Sequence, residues 1–383
     1  MFFQYPIEVS LSKRLKLGII GGGVNSAVGS AHVSSLRLDA NWDFEAGFFS
    51  RDTVTNRESG SVWDVHRIYS DLVNFIETER DNLDAVLVLT PTPNHYETIE
   101  RLLVAGFNVI SEKALSVSSC EAESLLKIAD EKHRKLLVTF NYTGYPMVRE
   151  IQSRVKSNRY GKIHTFNIEM PQEGFVLKDL NEKNIAVQEW RKRDQKIPTV
   201  SLDLGVHVLN MAGFLLGAGM RSVSALHNHS GDVTNVIDKV FAIGDYENGV
   251  NFTALYGKVF PGFKNGLKFR LFGEFGGCEW VQMQPDSFVE FDIHGKREIV
   301  NQGSFDLLEA HKPRYSRFKA GHPTGFIEAF ANLYHDIYEE LRSGLSGTDL
   351  SHGYVFTAAN ALTGLKELEF LHESARTKTW MTI

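Results

Sequence analysis

Over the first 140 residues, short apolar runs alternate with amphipathic stretches. "LKLGII" (15–20) and "FEAGFFS" (44–50) read as strands, and residues 25–37 between them can be helical. "LDAVLVLT" (83–90) is a continuous apolar run, as expected of a strand buried on both faces of a parallel sheet. "NHYETIERLLVAG" (94–106) places Ile99, Leu102 and Leu103 on one helical face and stops at Gly106. Ser118 and Glu121 form an S-x-x-E capping box opening a helix that carries Leu125, Leu126, Ile128 and Ala129. "FNVIS" (107–111) and "KLLVTF" (135–140) supply two further strands. This alternation predicts an α/β fold with a doubly wound parallel sheet.

The pattern changes after about residue 145. A helix from Pro146 to about Ser157 starts with proline in its first turn. Strand character then dominates at 163–170, 221–229, 236–243, 249–258, 267–273, 278–283 and 288–293, with few helices between. That predicts an α+β domain with a large, mainly antiparallel, open-faced sheet. Helices at about 322–342 and 352–373 close the chain; the first buries Phe326, Ile327, Phe330, Leu333, Tyr334 and Ile337. The predicted domains are 14–143 and 144–383, with no Pro/Gly-rich linker between them.

A length of 383 residues suits two cores rather than one. The net charge of −6 gives no reason to expect a nucleic-acid or membrane-surface partner. No apolar run approaches the ~20 residues that cross a bilayer, and "MFFQYPIEVSLSKRLKL" lacks the pattern of a signal peptide. Cys120 and Cys278 fit no metal or redox spacing, and so few cysteines fit a reducing cytoplasm.

Candidate chemistry starts at "KLGIIGGGVNSAVGSAH" (16–32). Gly21 and Gly23 give the G-x-G of a dinucleotide turn, but the third glycine position holds Ser26. Either Ser26 takes that place and its hydroxyl contacts phosphate, or the loop is three residues longer, with Val24 to Val28 (Asn25 and Ser26 among them) bulging before the helix, and Gly29 lets the helix approach the strand. The second strand ends in Ser50-Arg51-Asp52, with serine where an acid would favour NAD. Arg51 can pair with a 2′-phosphate, which leans toward NADP, while Asp52 remains within reach of a ribose.

Three more motifs follow strands or open a helix. "TPTPNH" places Thr90, Pro91, Asn94 and His95 at a strand's carboxyl end, where such sheets bind ligands. "SEKA" puts Glu112 and Lys113 at the next one; there the lysine either snorkels to the surface or points into the crevice. In "SLDLGVHVLNM", Asp203 and His207 are spaced i, i+4 on one helical face. A histidine titrating near neutrality suits a general base for an alcohol proton.

Together these motifs resemble the glucose–fructose oxidoreductase/inositol dehydrogenase/MocA (Gfo/Idh/MocA) family. Its G-x-G turn, E-K-P tripeptide and D-x-x-x-H correspond to Gly21-Gly22-Gly23, Glu112-Lys113-Ala114 and Asp203…His207. "NYTGYPMVRE" (141–150), "EWRKRD" (189–194) and "GHPTGFIEAFANLY" (321–334) look like segments of a subgroup with the extended first loop, G-G-G-x-x-S-x-x-G-x-x-H. The resemblance implies an NAD- or NADP-dependent oxidoreductase acting on a secondary alcohol of a sugar, sugar derivative or cyclitol. Lys113 then orients and polarises the substrate oxygen, His207 is the general acid/base, Asp203 holds substrate, and no metal is needed. It also implies a homodimer or homotetramer joined through the C-terminal sheet. One departure is Ala114 in place of the family's proline, which bears on the placement of Lys113.

Weaker candidates are Tyr142 and Tyr145, which either line the pocket or pack in the core. Trp190 and Arg191 either cap a sugar or belong to a solvated charge run. His322 either faces the pocket or caps a helix, and His227 and His229 read as ordinary strand histidines. Two rival functions stay open. One is a dehydrogenase of nucleotide- or phospho-sugars, for which Arg191, Lys192 and Arg193 are the local basic candidates. The other is a non-catalytic sensor of NAD(P)H or sugar, against which the retention of Lys113 and His207 argues.

Overall fold

A computed structural model describes residues 13–233, 235–346 and 353–383. Residues 1–12 of the stretch read above for a signal pattern, and the first residue of the last expected helix, lie outside them. The N-terminal part runs β1 (Leu15–Gly21), α1 (Gly29–Leu38), β2 (Trp42–Phe48), α2 (Thr53–Val62), β3 (Arg67–Ile68), α3 (Leu72–Glu79), β4 (Ala85–Leu89), α4 (His95–Val104), β5 (Val109–Glu112), α5 (Ser119–Glu131) and β6 (Leu136–Thr139). The remainder runs α6 (Pro146–Lys156), β7 (Ile163–Pro171), α7 (Val206–Leu216), β8 (Met220–Asn228), β9 (Lys239–Tyr246), β10 (Asn251–Gly257), β11 (Lys268–Gly273), β12 (Gly276–Val281), β13 (Ser287–Asp292) and β14 (Arg297–Asn301). It ends with α8 (Phe326–Ser346), β15 (Phe356–Thr357), α9 (Ala358–Thr377) and β16 (Met381–Thr382).

The five expected strands and the two-residue β3, which was not expected, form the parallel sheet, in the order β6-β5-β4-β1-β2-β3. Every residue of β4 is buried, which is why its sequence is apolar without alternation. A seventh strand, β15, adds antiparallel to β6 from the far end of the chain. The second sheet has nine strands in the order β14-β13-β12-β11-β7-β10-β9-β8-β16. It is antiparallel except where β7 meets β10. α9 packs on β8 and also on α5, and α8 packs on α1, so the two closing helices tie the sheets together.

Several expected boundaries move, each for a local reason. α1 starts at Gly29, four residues later than its apolar pattern suggests, because residues 22–28 form a loop that folds back on the helix. A Cβ at Gly29 would lie 2.1 Å from the Gly22 carbonyl oxygen. α2 carries no apolar stripe, since its buried residues are Asn56, Ser59 and Gly60. It is held instead by Asn56, whose side chain accepts from Phe49 N and donates to Tyr69 O, both at 2.8 Å. The Ser118 cap forms as predicted, but the Glu121 carboxylate accepts from Val117 N at 3.2 Å instead of from its cap residue. Phe326, expected in the core, is exposed.

α9 also buries a carboxyl group. Glu367 accepts from Met220 N at 3.1 Å, and burial pushes its pKa up to about 7. The folded value lies above the unfolded one, so ionisation penalises the folded state increasingly as pH rises from the unfolded pKa to the folded one. The penalty is complete above about pH 7. Glu367→Gln should therefore raise stability at pH 8 by up to about 3 kcal/mol, with the gain fading as the pH falls below 6. Urea denaturation of both proteins at the two pH values checks this; a gain that does not change with pH would show that Glu367 does not titrate in this way.

Candidate active site

A cavity of about 980 Å³ opens at the carboxyl ends of the parallel strands, at the β1/β4 boundary where the strand order reverses. The glycine turn after β1 forms one wall. Gly21 and Gly22 both have positive φ, +78° and +68°. A Cβ on Gly21 would meet the Leu89–Thr90 backbone at 2.8 Å, and one on Gly22 would lie 2.5 Å from the Leu89 side chain. Such a turn brings bare backbone to the cavity, which suits a pyrophosphate. Gly22, passed over in the sequence reading, thus carries as much of the turn as Gly21.

Asn25 and Ser26 line the same wall. The Ser26 hydroxyl accepts from Val28 N and Gly29 N at 3.3 Å each, which leaves its O–H free to donate. Val24 lies outside the lining, with its N–H donated to Ser59 Oγ at 3.0 Å. At the rim, Asp52 caps α2 by accepting from Thr55 N at 2.8 Å, and that bond holds its carboxyl below the usual range. Ser50 Oγ accepts from Asp52 N at 3.1 Å. Arg51 is exposed, lines the cavity and forms no ion pair among the described residues. Thr90, Pro91 and Asn94 line the opposite wall.

The end of the cavity is charged. Lys113, just past β5, donates from Nζ to Asp203 Oδ1 at 2.9 Å and to the Asp203 carbonyl at 3.0 Å. The Lys113–Ala114 peptide is cis, so alanine takes a cis bond here as proline can. Asp203 lies in a π-helical turn, Ser201–Gly205, that leads into α7. Its Oδ2 meets Arg191 at 3.1 Å and Lys258 Nζ at 2.7 Å. Burial alone would raise the Asp203 pKa, but Lys113, Lys258 and Arg191 together hold it well below the carboxylate range. His207, in the first turn of α7, is buried with its ring edge-on to Tyr142 at 4.7 Å. Burial, reinforced by Lys113 and only partly opposed by Asp203, holds His207 well below its usual pKa, so the ring is neutral at physiological pH.

The structure thus brings Lys113, Asp203 and Arg191 into contact, with Trp190 beneath the guanidinium at 5.0 Å and Glu112 on the adjoining wall. Besides Val24, five expected site residues lie outside the cavity lining: Tyr142 and His207, buried ring edge against ring, and three more. His95 is fully buried and does not line the cavity; its Nδ1 and Nε2 sit 2.7 Å from the Ala114 and Thr90 carbonyl oxygens. Tyr145 is also fully buried, tilted against Trp280, with its hydroxyl accepting from Gln282. His322 is exposed on a turn against Phe318 and touches neither the cavity nor a helix end. Lys258 was missed altogether. Its signal was a lone lysine inside the apolar run "FTALYGKVF" (252–260), and only the fold shows that this lysine reaches Asp203.

Two family models match the chain. Residues 15–140 match an oxidoreductase family with an NAD-binding Rossmann fold, and residues 148–279 match a GFO/IDH/MocA C-terminal domain. Among characterised and uncharacterised relatives, the chain is 26% identical to the uncharacterized oxidoreductase YfiI of Bacillus subtilis (strain 168), covering 85% of each. It is 23% identical to scyllo-inositol 2-dehydrogenase (NADP(+)) IolW of the same organism, over 76% of this chain and 72% of that one. Among solved structures, an inositol dehydrogenase homolog complexed with NADH and myo-inositol from Azotobacter vinelandii superposes with a TM-score of 0.86. It is 24% identical and covers 97% of this chain and 98% of that one.

The electrostatic arrangement fixes the sign of one titration. Removing the Lys113 charge removes a contribution that depresses His207. The His207 ring should stay neutral in NMR spectra at pH values below its ordinary pKa, and Lys113→Met should move its titration upward. A His207 that titrates near 6.5 in the parent protein would contradict this electrostatic picture.

Proposed function

The chain belongs to the GFO/IDH/MocA oxidoreductase family, and from that premise we propose that it moves a hydride between a nicotinamide cofactor and a secondary alcohol or ketone of a sugar, sugar derivative or cyclitol. The observation that carries this reading is the 2.9 Å Lys113–Asp203 contact beside a histidine held neutral, at the far end of a glycine-lined cavity. A lysine ammonium has three donors, and Asp203 takes two of those of Lys113, which leaves one for a substrate oxygen. A positive charge at that oxygen lowers the cost of the developing alkoxide. Neutral His207 takes the hydroxyl proton in oxidation and returns it in reduction. The bound nicotinamide supplies the hydride acceptor or donor.

The substrate class is favoured by the relatives, one a scyllo-inositol dehydrogenase and one structurally similar protein complexed with myo-inositol. Free Arg51 at the rim, with Asp52 committed to capping α2, favours NADP over NAD. The open face of the nine-stranded sheet exposes Leu226, Phe241 and Ile243 on β8 and β9 and is the natural surface for a homodimer or homotetramer. Cys120 and Cys278 are both free thiols, in keeping with a cytoplasmic protein.

Lys113→Ala and His207→Ala should each lower kcat by about 10²-fold or more while leaving the affinity for NADPH, followed by its fluorescence, nearly intact. Unchanged turnover in both variants would remove the assigned roles. Arg51→Ala should weaken NADP+ binding by about tenfold with little effect on NAD+, the loss expected for one charge-assisted hydrogen bond. Equal losses for both cofactors would place the arginine away from the 2′ position.

A further inference from the structure

We propose that the cavity selects a substrate bearing an anionic group, a carboxylate or a phosphate on a sugar or polyol, with Arg191 contacting that group and Lys258 supplying charge behind it. This rests on the dehydrogenase reading and narrows its substrate class.

Three cations converge on one carboxylate. Lys113 takes Asp203 Oδ1, and Arg191 and Lys258 share Oδ2. Two positive charges are therefore left over among these four side chains. Asp203 and Lys258 are only 6% and 5% exposed, while the Lys113 and Arg191 side chains are partly exposed to the cavity. Uncompensated charge away from water is costly, and a ligand anion is a direct way to offset it.

Among the described residues, Lys113, Arg191 and Lys258 pair with no acid other than Asp203. Glu112 lines the same cavity but forms no ion pair with Lys113, Arg191 or Lys258; its Oε1 lies 3.5 Å from His32 Nε2. Asp194 accepts from Thr199 N and Ile237 N, and Asp238 accepts from Ser230 N and Gly231 N. The remaining contacts of Lys258 are neutral: Gln172 Oε1 at 3.0 Å and the Phe175 ring at 5.8 Å. Burial pushes the Lys258 pKa down, and repulsion from Arg191 and Lys113 adds to that against the pull of Asp203.

Arg191 is the member that faces the ligand. It lines the cavity beside Lys113, and its Nε is buried with no hydrogen-bond partner among the described residues. Stacking on Trp190 fixes the plane of its guanidinium. A planar fork with an unused donor, backed by a second cation, is the arrangement that binds carboxylate or phosphate oxygens. A neutral polyol satisfies the donors and leaves the charge.

Calorimetry on the full chain saturated with NADPH tests this. The ligands are D-glucuronate, D-galacturonate and D-glucose 6-phosphate against D-glucose and myo-inositol, at about 50 and 300 mM salt. At least one anion should bind about tenfold tighter than either neutral compound, with the advantage shrinking at high salt and falling in Arg191→Gln and Lys258→Met. An advantage confined to the uronates assigns a sugar acid; one confined to the phosphate assigns a phospho-sugar. Neutral compounds binding as tightly as every anion, or an advantage that survives Arg191→Gln, overturns the proposal. Arg191 lies on a partly exposed turn, so that variant carries the test if Lys258→Met does not fold. Assays with NADP+ separate the two readings. Selective anion binding with no turnover of any of these compounds removes the dehydrogenase reading alone, and turnover without anion preference removes only the anion site.

Discussion

The contact between Lys113 and Asp203 is the constraint on which the rest of the site depends. The two residues are ninety positions apart and belong to different sheets' neighbourhoods, one past β5 and the other in the π turn before α7. Taking both charges out of water is expensive, and their attraction repays it only when geometry and further hydrogen bonds are good. Here the Asp203 carboxylate has three cationic partners, so it stays ionised despite burial. Removing one side of such a pair typically costs about 3–5 kcal/mol, which makes the contact a lock between the two halves as well as a chemical device.

Several buried groups keep that lock in register. His95 packs between the Thr90 and Ala114 carbonyls, and its single N–H donates to one of them, setting the loop after β4 beside the residue that follows Lys113. On the other side of Lys113, Glu112 faces His32 of α1, whose Nδ1 sits 2.5 Å from the hydroxyl of Tyr334 on α8. His32, in the first turn of α1, therefore connects a C-terminal helix to the cavity wall. Arg149 on α6 adds a fully buried pair with Asp336 on α8 at 2.6 Å. With β15 hydrogen-bonded to β6, the second half of the chain closes the first, and the boundary near residue 144 is one in sequence more than in space.

The glycine-lined end of the cavity follows a different logic. Its wall is backbone, because the turn at Gly21 and Gly22 leaves no room for Cβ atoms. The three-residue lengthening before Gly29 leaves Ser26 in the lining, while Gly29 restores the close approach between helix and strand. Capping by Asp52 then leaves Arg51 as the free charge at the rim.

The sequence alone determined what is local and periodic. The apolar run of β4, the amphipathic α4, the Ser118 cap and strands β7 to β13 of the second sheet follow from patterns within a few residues, whereas β14 was not expected. The motifs Gly21–Gly23, Glu112–Lys113 and Asp203–His207 were legible for the same reason. The tertiary structure decided whatever depends on partners distant in the chain. It showed α2, whose buried face is polar and so leaves no stripe. It showed β15 and β16, two-residue strands that exist only because an edge awaits them. It turned His95 and Tyr145 from site candidates into supports, since burial is a property of the whole fold. It also brought Lys258 to Asp203 across the second sheet, a contact between two charges that no spacing along the chain encodes.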